Sequence, residues 1–159
     1  MLSILRKLNV SLLPQDEVDR AYPLIQAALP GASIEAWRSF AAMRLGKDKE
    51  KRTGILSVRN EQSYIVGLGA YMTVYDLQHG PILFADHLCA MDIVDQSSVA
   101  RALLRAMERI AEQQGCSAIH TALPQSDVRE AGGWITNIFH ERGHCIRGLQ
   151  MCKLVASAS

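Results

Sequence analysis

The chain of 159 residues lacks a long hydrophobic run and has no excess of charge of either sign. Its formal net charge is +1, from 17 Lys and Arg against 16 Asp and Glu, so its charge does not indicate a nucleic-acid surface. The apolar start, MLSILRKLNV, is interrupted by Arg6 and Lys7 and is too short for a signal-peptide core or a membrane span. We therefore expect no nucleic-acid partner and no membrane partner.

Closely spaced cysteine pairs are also missing. The four cysteines, Cys89, Cys116, Cys145 and Cys152, lie far apart and form no C-x-x-C pair. This spacing gives little support for a disulfide framework or a zinc knuckle, and the expected location is the reducing cytoplasm. No repeat, low-complexity segment or Pro/Gly/Ser-rich linker divides the chain, so residues 1–159 are expected to form a single domain.

The spacing of apolar residues predicts the order of secondary structure. Runs rich in β-branched and aromatic residues predict strands at about 7–13, 53–60, 64–77, 82–94, 118–123 and 145–155. Helical spacing predicts helices at about 14–29, 33–45, 98–114 and 134–142, with Ser33 as an N-cap. The expected fold class is α/β (α+β), a mixed twisted sheet of six to seven strands flanked by about four helices.

One short motif indicates a different chemistry. His140-Glu141-Arg142-Gly143-His144 matches H-E-x-x-H, the pattern of zinc metalloproteases. That motif needs both histidines on one face of a continuous helix and a third ligand, usually further along the chain. Here Gly143 is a helix terminator, and no His, Glu or Asp follows His144. We interpret the motif as the end of a helix and expect no metal.

Two stretches resemble the GNAT superfamily of acetyl-CoA-dependent N-acyltransferases. In that family a loop of pattern [Q/R]-x-x-G-x-[G/A] opens a helix and holds the pyrophosphate of coenzyme A. The corresponding stretch here is DQSSVA, from Asp95 to Ala100. Ala100 fits the pattern, whereas Asp95 replaces Gln or Arg and Ser98 replaces Gly. Two interpretations stay open, a working coenzyme loop and a plain helix cap.

The second stretch is NIFHERGH, which resembles the late GNAT helix N-x-x-x-x-Y-x-x-x-G-F. Asn137 resembles the family's asparagine, which often contacts the coenzyme, and Gly143 matches the glycine that ends the helix. Phe139 falls at the position of the tyrosine that returns a proton to the coenzyme A thiolate. A phenylalanine cannot donate that proton, so another group or solvent is expected to do so.

The resemblance implies that acetyl-CoA is the co-substrate and that the acceptor is an amine of an unknown small molecule or peptide. It also implies free backbone amides over residues 91–93, which would polarise the thioester carbonyl. The expected coenzyme contacts are Met91, Ile93, Gln96, Ser97, Ser98, Val99, Ala100, Arg101, Asn137 and Phe139.

Asp86 and His87 are the candidates for the general base. Family bases often lie on this strand. A polar pair inside the apolar run FADHLCAM is also unexpected, because burying polar groups without partners is costly. The alternative is that one of the two simply faces solvent. Tyr71 and Tyr75 lie four residues apart on the preceding strand and are the candidates for an acceptor pocket on one face.

The expected function is therefore N-acetyl transfer from acetyl-CoA to an amine. The alternative is a GNAT-fold module that no longer catalyses and acts by binding. The loss of the Gln or Arg and of the tyrosine favours that alternative, whereas the amphipathic helix after Asp95 and the presence of Asn137 favour the enzyme. The apolar segment 145–155 is a candidate for contacts in a homodimer.

Overall fold

The computed structural model describes residues 7–46, 50–91, 95–123 and 133–155. Within these ranges the chain forms five strands, which are β1 (Asn9–Leu12), β2 (Thr53–Arg59), β3 (Ile65–Asp76), β4 (Gly80–Ala90) and β5 (Ala118–Thr121). Its four α-helices are α1 (Val18–Ala28), α2 (Ile34–Arg44), α3 (Gln96–Gln113) and α4 (Trp134–Glu141), and a short 3-10 helix (Gln15–Glu17) precedes α1.

The strands form one mixed sheet in the order β1-β2-β3-β4-β5. Strands β1 to β4 are antiparallel neighbours, and β5 lies parallel to β4. A parallel neighbour requires a crossover connection, which α3 provides. The predicted mixed sheet is therefore confirmed.

Helices cover both faces of the sheet. Helices α1 and α2 pack over one face, where Leu68 and Ala70 of β3 contribute to the core. Helix α3 packs over the other face, where it meets the alternate residues, such as Tyr71 of β3 and Leu83 of β4. Helix α4 packs against α3, and Leu88 of β4 lies beside it. This alternation follows from the period-two geometry of strands.

Two predicted end signals form as expected. The Ser33 hydroxyl oxygen accepts a hydrogen bond from the Ala36 amide at 3.1 Å and caps α2. Gly143 follows α4 with a φ of +86°, a left-handed conformation that suits a residue without a side chain.

The predicted last strand is wrong. Residues 145–155 have no regular secondary structure and are exposed. The alternating apolar residues that predicted a strand, among them Leu149 and Met151, are 95% and 94% exposed. A strand exists only with a partner edge, and none of the described strands pairs with this segment. The expected count of six to seven strands becomes five over the described residues. None of the described helices is long and apolar enough to cross a membrane.

Candidate active site

Strand β4 contains a bulge in its second half. Leu68 and Ala70 of β3 pair with Cys89 and Asp86, so β4 holds one more residue than β3 over this interval. His87 lies at this point with a φ of +51°. That left-handed conformation is uncommon for a residue with a side chain, although histidine adopts it more often than most. The bulge interrupts the alternation of side chains along β4.

The bulge brings Asp86 and His87 to the same face of the sheet. In a regular strand two consecutive side chains point to opposite faces. Here Asp86 contacts Arg44 of α2, and the His87 ring lies 4.9 Å from the ring of Phe40, which is also on α2. Both candidates for the general base therefore face the helical layer formed by α1 and α2.

Asp86 connects a buried arginine to His87. Arg44 Nη2 donates a hydrogen bond to Asp86 Oδ2 at 2.9 Å, and His87 Nδ1 lies 3.0 Å from the same oxygen. Arg44 and Asp86 are buried, whereas the His87 side chain is 44% exposed. A proton on Nδ1 allows His87 to donate to Asp86 and leaves a lone pair on Nε2. This is the arrangement of a base and the carboxylate that orients it.

Arg44 is a member of this site that sequence analysis missed. It lies on the buried side of α2 together with Trp37 and Ala41, at helical spacing. Its guanidinium also stacks over the Phe40 ring, with Cζ 4.9 Å from the ring centroid. The sequence did contain a signal for Arg44. It is a charged residue at a helical spacing that is otherwise apolar, and a buried charge needs a partner.

Beyond the site, one edge of strand β4 has no partner among the described strands. β5 pairs with β4 only over residues 82–85, and the Ala122 amide adds one hydrogen bond to the Ala85 carbonyl at 2.9 Å. Residues 86–90 of β4 pair with β3 alone among the described strands. The described pairing of the two parallel strands therefore ends at Ala85. A backbone edge of this kind can accept an extended ligand as if it were another strand.

The amides expected beyond this edge are only partly described. The Met91 amide donates to the Val66 carbonyl at 2.8 Å, so it is paired with the segment of β3 and is not free. This corrects the expectation of free amides for Met91, whose side chain is 45% exposed. Ile93 lies outside the described residues.

Asp95 caps the N-terminus of α3. Its Oδ1 accepts a hydrogen bond from the Ser98 amide at 3.0 Å, and the Ser98 hydroxyl donates to its Oδ2. The two donors that a phosphate would use at Ser98 are therefore bound to a carboxylate. Gln96 is exposed and Ser97 is half-buried. The side chains of Val99 and Ala100 are buried in the core, so only their backbones remain as ligand contacts.

The other predicted coenzyme contacts lie around α4. Arg101 of α3 forms an exposed ion pair with Glu141, at 2.8 Å between Nη2 and Oε2. Asn137 is exposed, whereas Phe139 is buried and packs close to Leu88 of β4. The space between the end of β4 and helices α3 and α4 encloses only about 10 Å³. A ligand arm at this edge would therefore require α4 to move outward.

The two tyrosines do not meet at His87. Tyr71 is 2% exposed and belongs to the core beneath α3, on the opposite face of the sheet from Asp86. Tyr75 is 81% exposed and pairs with Pro81 at the far end of β4. There it lines a separate open cavity of about 400 Å³, together with Arg52 and Thr73.

The H-E-x-x-H residues do not form the helical face that the zinc motif needs. Helix α4 ends at Glu141, so His144 lies beyond it, and His140 Nδ1 is 2.9 Å from the His144 carbonyl oxygen. Arg142 donates to Glu108 of α3, and this hydrogen bond lowers the pKa of the Glu108 carboxyl. Burial lowers the pKa of the His144 imidazole, whose ring packs edge-on against Phe139 at 5.0 Å. These contacts fix the end of α4 on α3.

Comparisons with known proteins identify the fold. No family model matches the sequence, and no curated protein sequence does so. Among solved structures, an aminoglycoside N-acetyltransferase in complex with CoA is similar with a TM-score of 0.75 at 13% identity, over 96% of this chain and 99% of that one.

Two further solved structures give the same result. A ribosomal-protein-alanine N-acetyltransferase from Brucella melitensis is similar with a TM-score of 0.72 at 12% identity, over 94% of this chain and 100% of that one. An aminoglycoside antibiotic 6'-N-acetyltransferase from Acinetobacter baumannii has a TM-score of 0.71 at 13% identity, with the same coverage. Full-length agreement at such low identity shows the fold, and the resemblance found in the sequence is thereby confirmed: this chain has the GNAT fold.

Proposed function

We propose that this protein is an N-acetyltransferase that moves an acetyl group from acetyl-CoA to an amine, with His87 as the general base. The observation that carries the proposal is the Asp86–His87 contact at the bulge of β4, in a chain with the fold of acetyltransferases. The half-exposed imidazole lies where β4 loses its β5 partner among the described strands, so the base lies beside the edge that a ligand would reach once α4 moved outward.

The residues would act in the following way. The acceptor arrives as an ammonium ion, and His87 Nε2 removes a proton so that the amine nitrogen can attack the acetyl carbon. The C–N bond forms, the attacking nitrogen gives its second proton to solvent, the C–S bond breaks, and solvent protonates the departing thiolate. Asp86 holds His87 Nδ1 and stabilises the imidazolium, while Arg44 balances the charge of Asp86. Asp86 is thus a positioning residue in this proposal.

The coenzyme would be held by the start of α3. The amides of Gln96, Ser97 and Ser98 are in the first turn, where a helix has no internal acceptors for them and its dipole favours an anion. Asp95 now occupies the Ser98 donors, so its carboxylate must leave them when a pyrophosphate binds. Acetyl-CoA supplies the activated acetyl group as a thioester.

The test is turnover with a panel of small-molecule and peptide amines, followed by release of the coenzyme A thiol above a protein-only blank. We expect His87→Gln to lower kcat by about 10²- to 10⁴-fold, the usual contribution of a general base, with acetyl-CoA affinity unchanged. His140→Gln is the matched control, since His140 is also exposed and lies outside the site.

The outcomes separate the enzyme from a module that only binds. If the wild-type chain turns over no amine although it binds acetyl-CoA, the non-catalytic alternative replaces the proposal. If turnover survives His87→Gln, His87 is not the base. We also propose a homodimer and a reducing compartment such as the cytoplasm, which suits the free cysteines Cys116, Cys145 and Cys152.

A further inference from the structure

Two histidines and an aspartate converge at the turn between β3 and β4, far from His87 along the strand. Asp76 ends β3, His79 lies in the turn and His120 lies on β5. His79 Nδ1 is 3.2 Å from His120 Nε2 and 3.3 Å from Asp76 Oδ1. One ligand atom from each residue lies within 4.8 Å of the ligand atoms of the other two. Imidazole nitrogen and carboxylate oxygen are common ligands of divalent transition metals.

Hydrogen bonding alone explains only part of this cluster. Nδ1 of a neutral imidazole is either a donor or an acceptor. It can donate to Asp76 Oδ1, or it can accept from His120 Nε2, but it cannot make both hydrogen bonds. A cation between the three residues would accept a lone pair from each of their side chains.

The distances fit such a cation. Metal–ligand bonds of about 2.0–2.1 Å in a tetrahedral site place neighbouring ligand atoms roughly 3.3–3.4 Å apart. The 3.2 Å separation of the two histidine nitrogens is close to that spacing, and the Asp76 carboxylate approaches His79 Nδ1 to 3.3 Å through Oδ1. One ligand atom from each of the three residues lies within 4.8 Å of the other two.

Hydrogen bonds hold the backbone that carries these ligands on both sides. Asp76 Oδ1 accepts hydrogen bonds from the amides of Gln78 and His79, at 2.9 Å and 2.8 Å. The Ser117 hydroxyl, just before β5, donates to the His79 carbonyl. A carboxylate offers about four acceptor positions, two on each oxygen, so Asp76 can keep these amides on Oδ1 and offer Oδ2 to a metal. The ligand atoms are thus placed before any ion arrives.

We propose that Asp76, His79 and His120 bind one divalent cation of the zinc class, with water at the fourth position. The ion would join the β3–β4 turn to β5 and so fix the paired end of the two parallel strands. Sequence spacing gave no sign of this site, because His79 and His120 are 41 residues apart and meet only through the parallel pairing of β4 and β5.

The test is titration of the purified full-length chain, freed of metal by a chelator, with Zn²⁺ and with Co²⁺. We expect one ion per chain, a rise in melting temperature with Zn²⁺, and a Co²⁺ spectrum of tetrahedral nitrogen and oxygen ligation without thiolate bands. The variants His79→Gln and His120→Gln should each weaken binding by about tenfold or more, since even an outer partner of a metal ligand is worth about 10- to 100-fold.

Two controls make the result decisive. His140→Gln removes a histidine of the H-E-x-x-H motif and should leave the affinity unchanged. Melting temperatures of all variants in chelator should equal that of the wild type, which shows that each variant folds. The proposal is overturned if the wild type binds no Zn²⁺, if His79→Gln and His120→Gln bind as the wild type does, or if thiolate bands show that cysteines hold the ion.

Discussion

Arg44 and Asp86 form an ion pair inside the protein, and the position of His87 depends on it. Their side chains are 9% and 13% exposed. One nitrogen and one oxygen of the pair, Arg44 Nη1 and Asp86 Oδ1, have no hydrogen-bond partner among the described residues. Taking two charges out of water is costly, so a pair of this kind is weak evidence for stability. Its position at the bulge fits a role in holding His87.

The first prediction concerns the removal of one partner. Arg44→Met should destabilise the fold by about 3–5 kcal/mol, because it leaves the Asp86 carboxylate buried without a cation. The double variant Arg44→Met with Asp86→Leu should recover most of this loss, since no charge remains. Urea unfolding measures both changes. Arg38→Met is the control, because the Arg38–Asp19 pair is about half exposed and an exposed ion pair contributes little to stability.

An equal effect of Arg44→Met and Arg38→Met would mean that the Arg44–Asp86 pair is not desolvated as the structure shows. Failure of the double variant to recover would show that Arg44 contributes mainly by packing, for example over Phe40.

At the scale of single residues, the sequence indicated part of the site. Asp86 and His87 stood out as polar residues in an apolar run. Their common face was not predictable, because strict alternation places them on opposite faces and only the left-handed φ of His87 brings them together. Arg44 was missed because its partner is 42 residues away along the chain.

Helix α3 begins with a cap whose charge opposes its proposed ligand. Asp95→Asn keeps a side chain that can cap the helix but removes a negative charge near the pyrophosphate. We predict that this variant binds coenzyme A roughly tenfold more tightly than the wild type at low salt, and that the gain shrinks at high salt. Calorimetric titration at two salt concentrations measures the gain.

Asp95→Ala is the companion variant, since it removes both the charge and the cap and should cost about 1 kcal/mol of stability. If Asp95→Asn binds the coenzyme no better than the wild type, the pyrophosphate does not lie at the start of α3.

The end of α4 should respond to pH through His144. Burial lowers the pKa of its imidazole, so the folded state favours the neutral form. The unfolded chain therefore takes up the proton first as pH falls below about 6.5, the ordinary value for histidine, and the stabilisation is complete only above that pH. We predict that His144→Gln loses less stability than the wild type between neutral and mildly acidic pH. Urea unfolding across this range checks it, and identical pH profiles would contradict it.

Secondary structure was predictable where local chemistry determines it. The cap at Ser33, the crossover helix and the stop at Gly143 follow from neighbouring residues and are confirmed. The strand expected at 145–155 is wrong because pairing depends on a partner edge, which the sequence of the segment does not specify.

The segment 145–155 also bears on the oligomeric state of the molecule. Its large apolar side chains are mostly exposed, with Leu149 and Leu154 at 95% and 91%. Strand β5 has a neighbour on one side only among the described strands. An exposed apolar segment of this kind commonly marks a protein interface. In the proposed homodimer, a second copy of the chain covers this segment.

We predict that the wild-type chain is a dimer in solution and that Leu149→Ser with Met151→Ser makes it a monomer. Light scattering after size-exclusion chromatography measures the mass. Leu77→Ser is the control, since Leu77 is a fully exposed apolar residue in the β3–β4 turn and its replacement should leave the mass unchanged. A monomeric wild type would contradict the proposed homodimer.

The central claim is that the GNAT fold of this chain still serves acetyl transfer, and binding of the co-substrate tests it most directly. Purified protein should be titrated calorimetrically with acetyl-CoA, and with coenzyme A for comparison. We predict saturable binding of one molecule per chain in the range of about 1 μM to 1 mM that is typical of enzyme substrates. Absence of binding by a folded chain to either ligand in that range would contradict the claim and leave a GNAT-fold protein with another role.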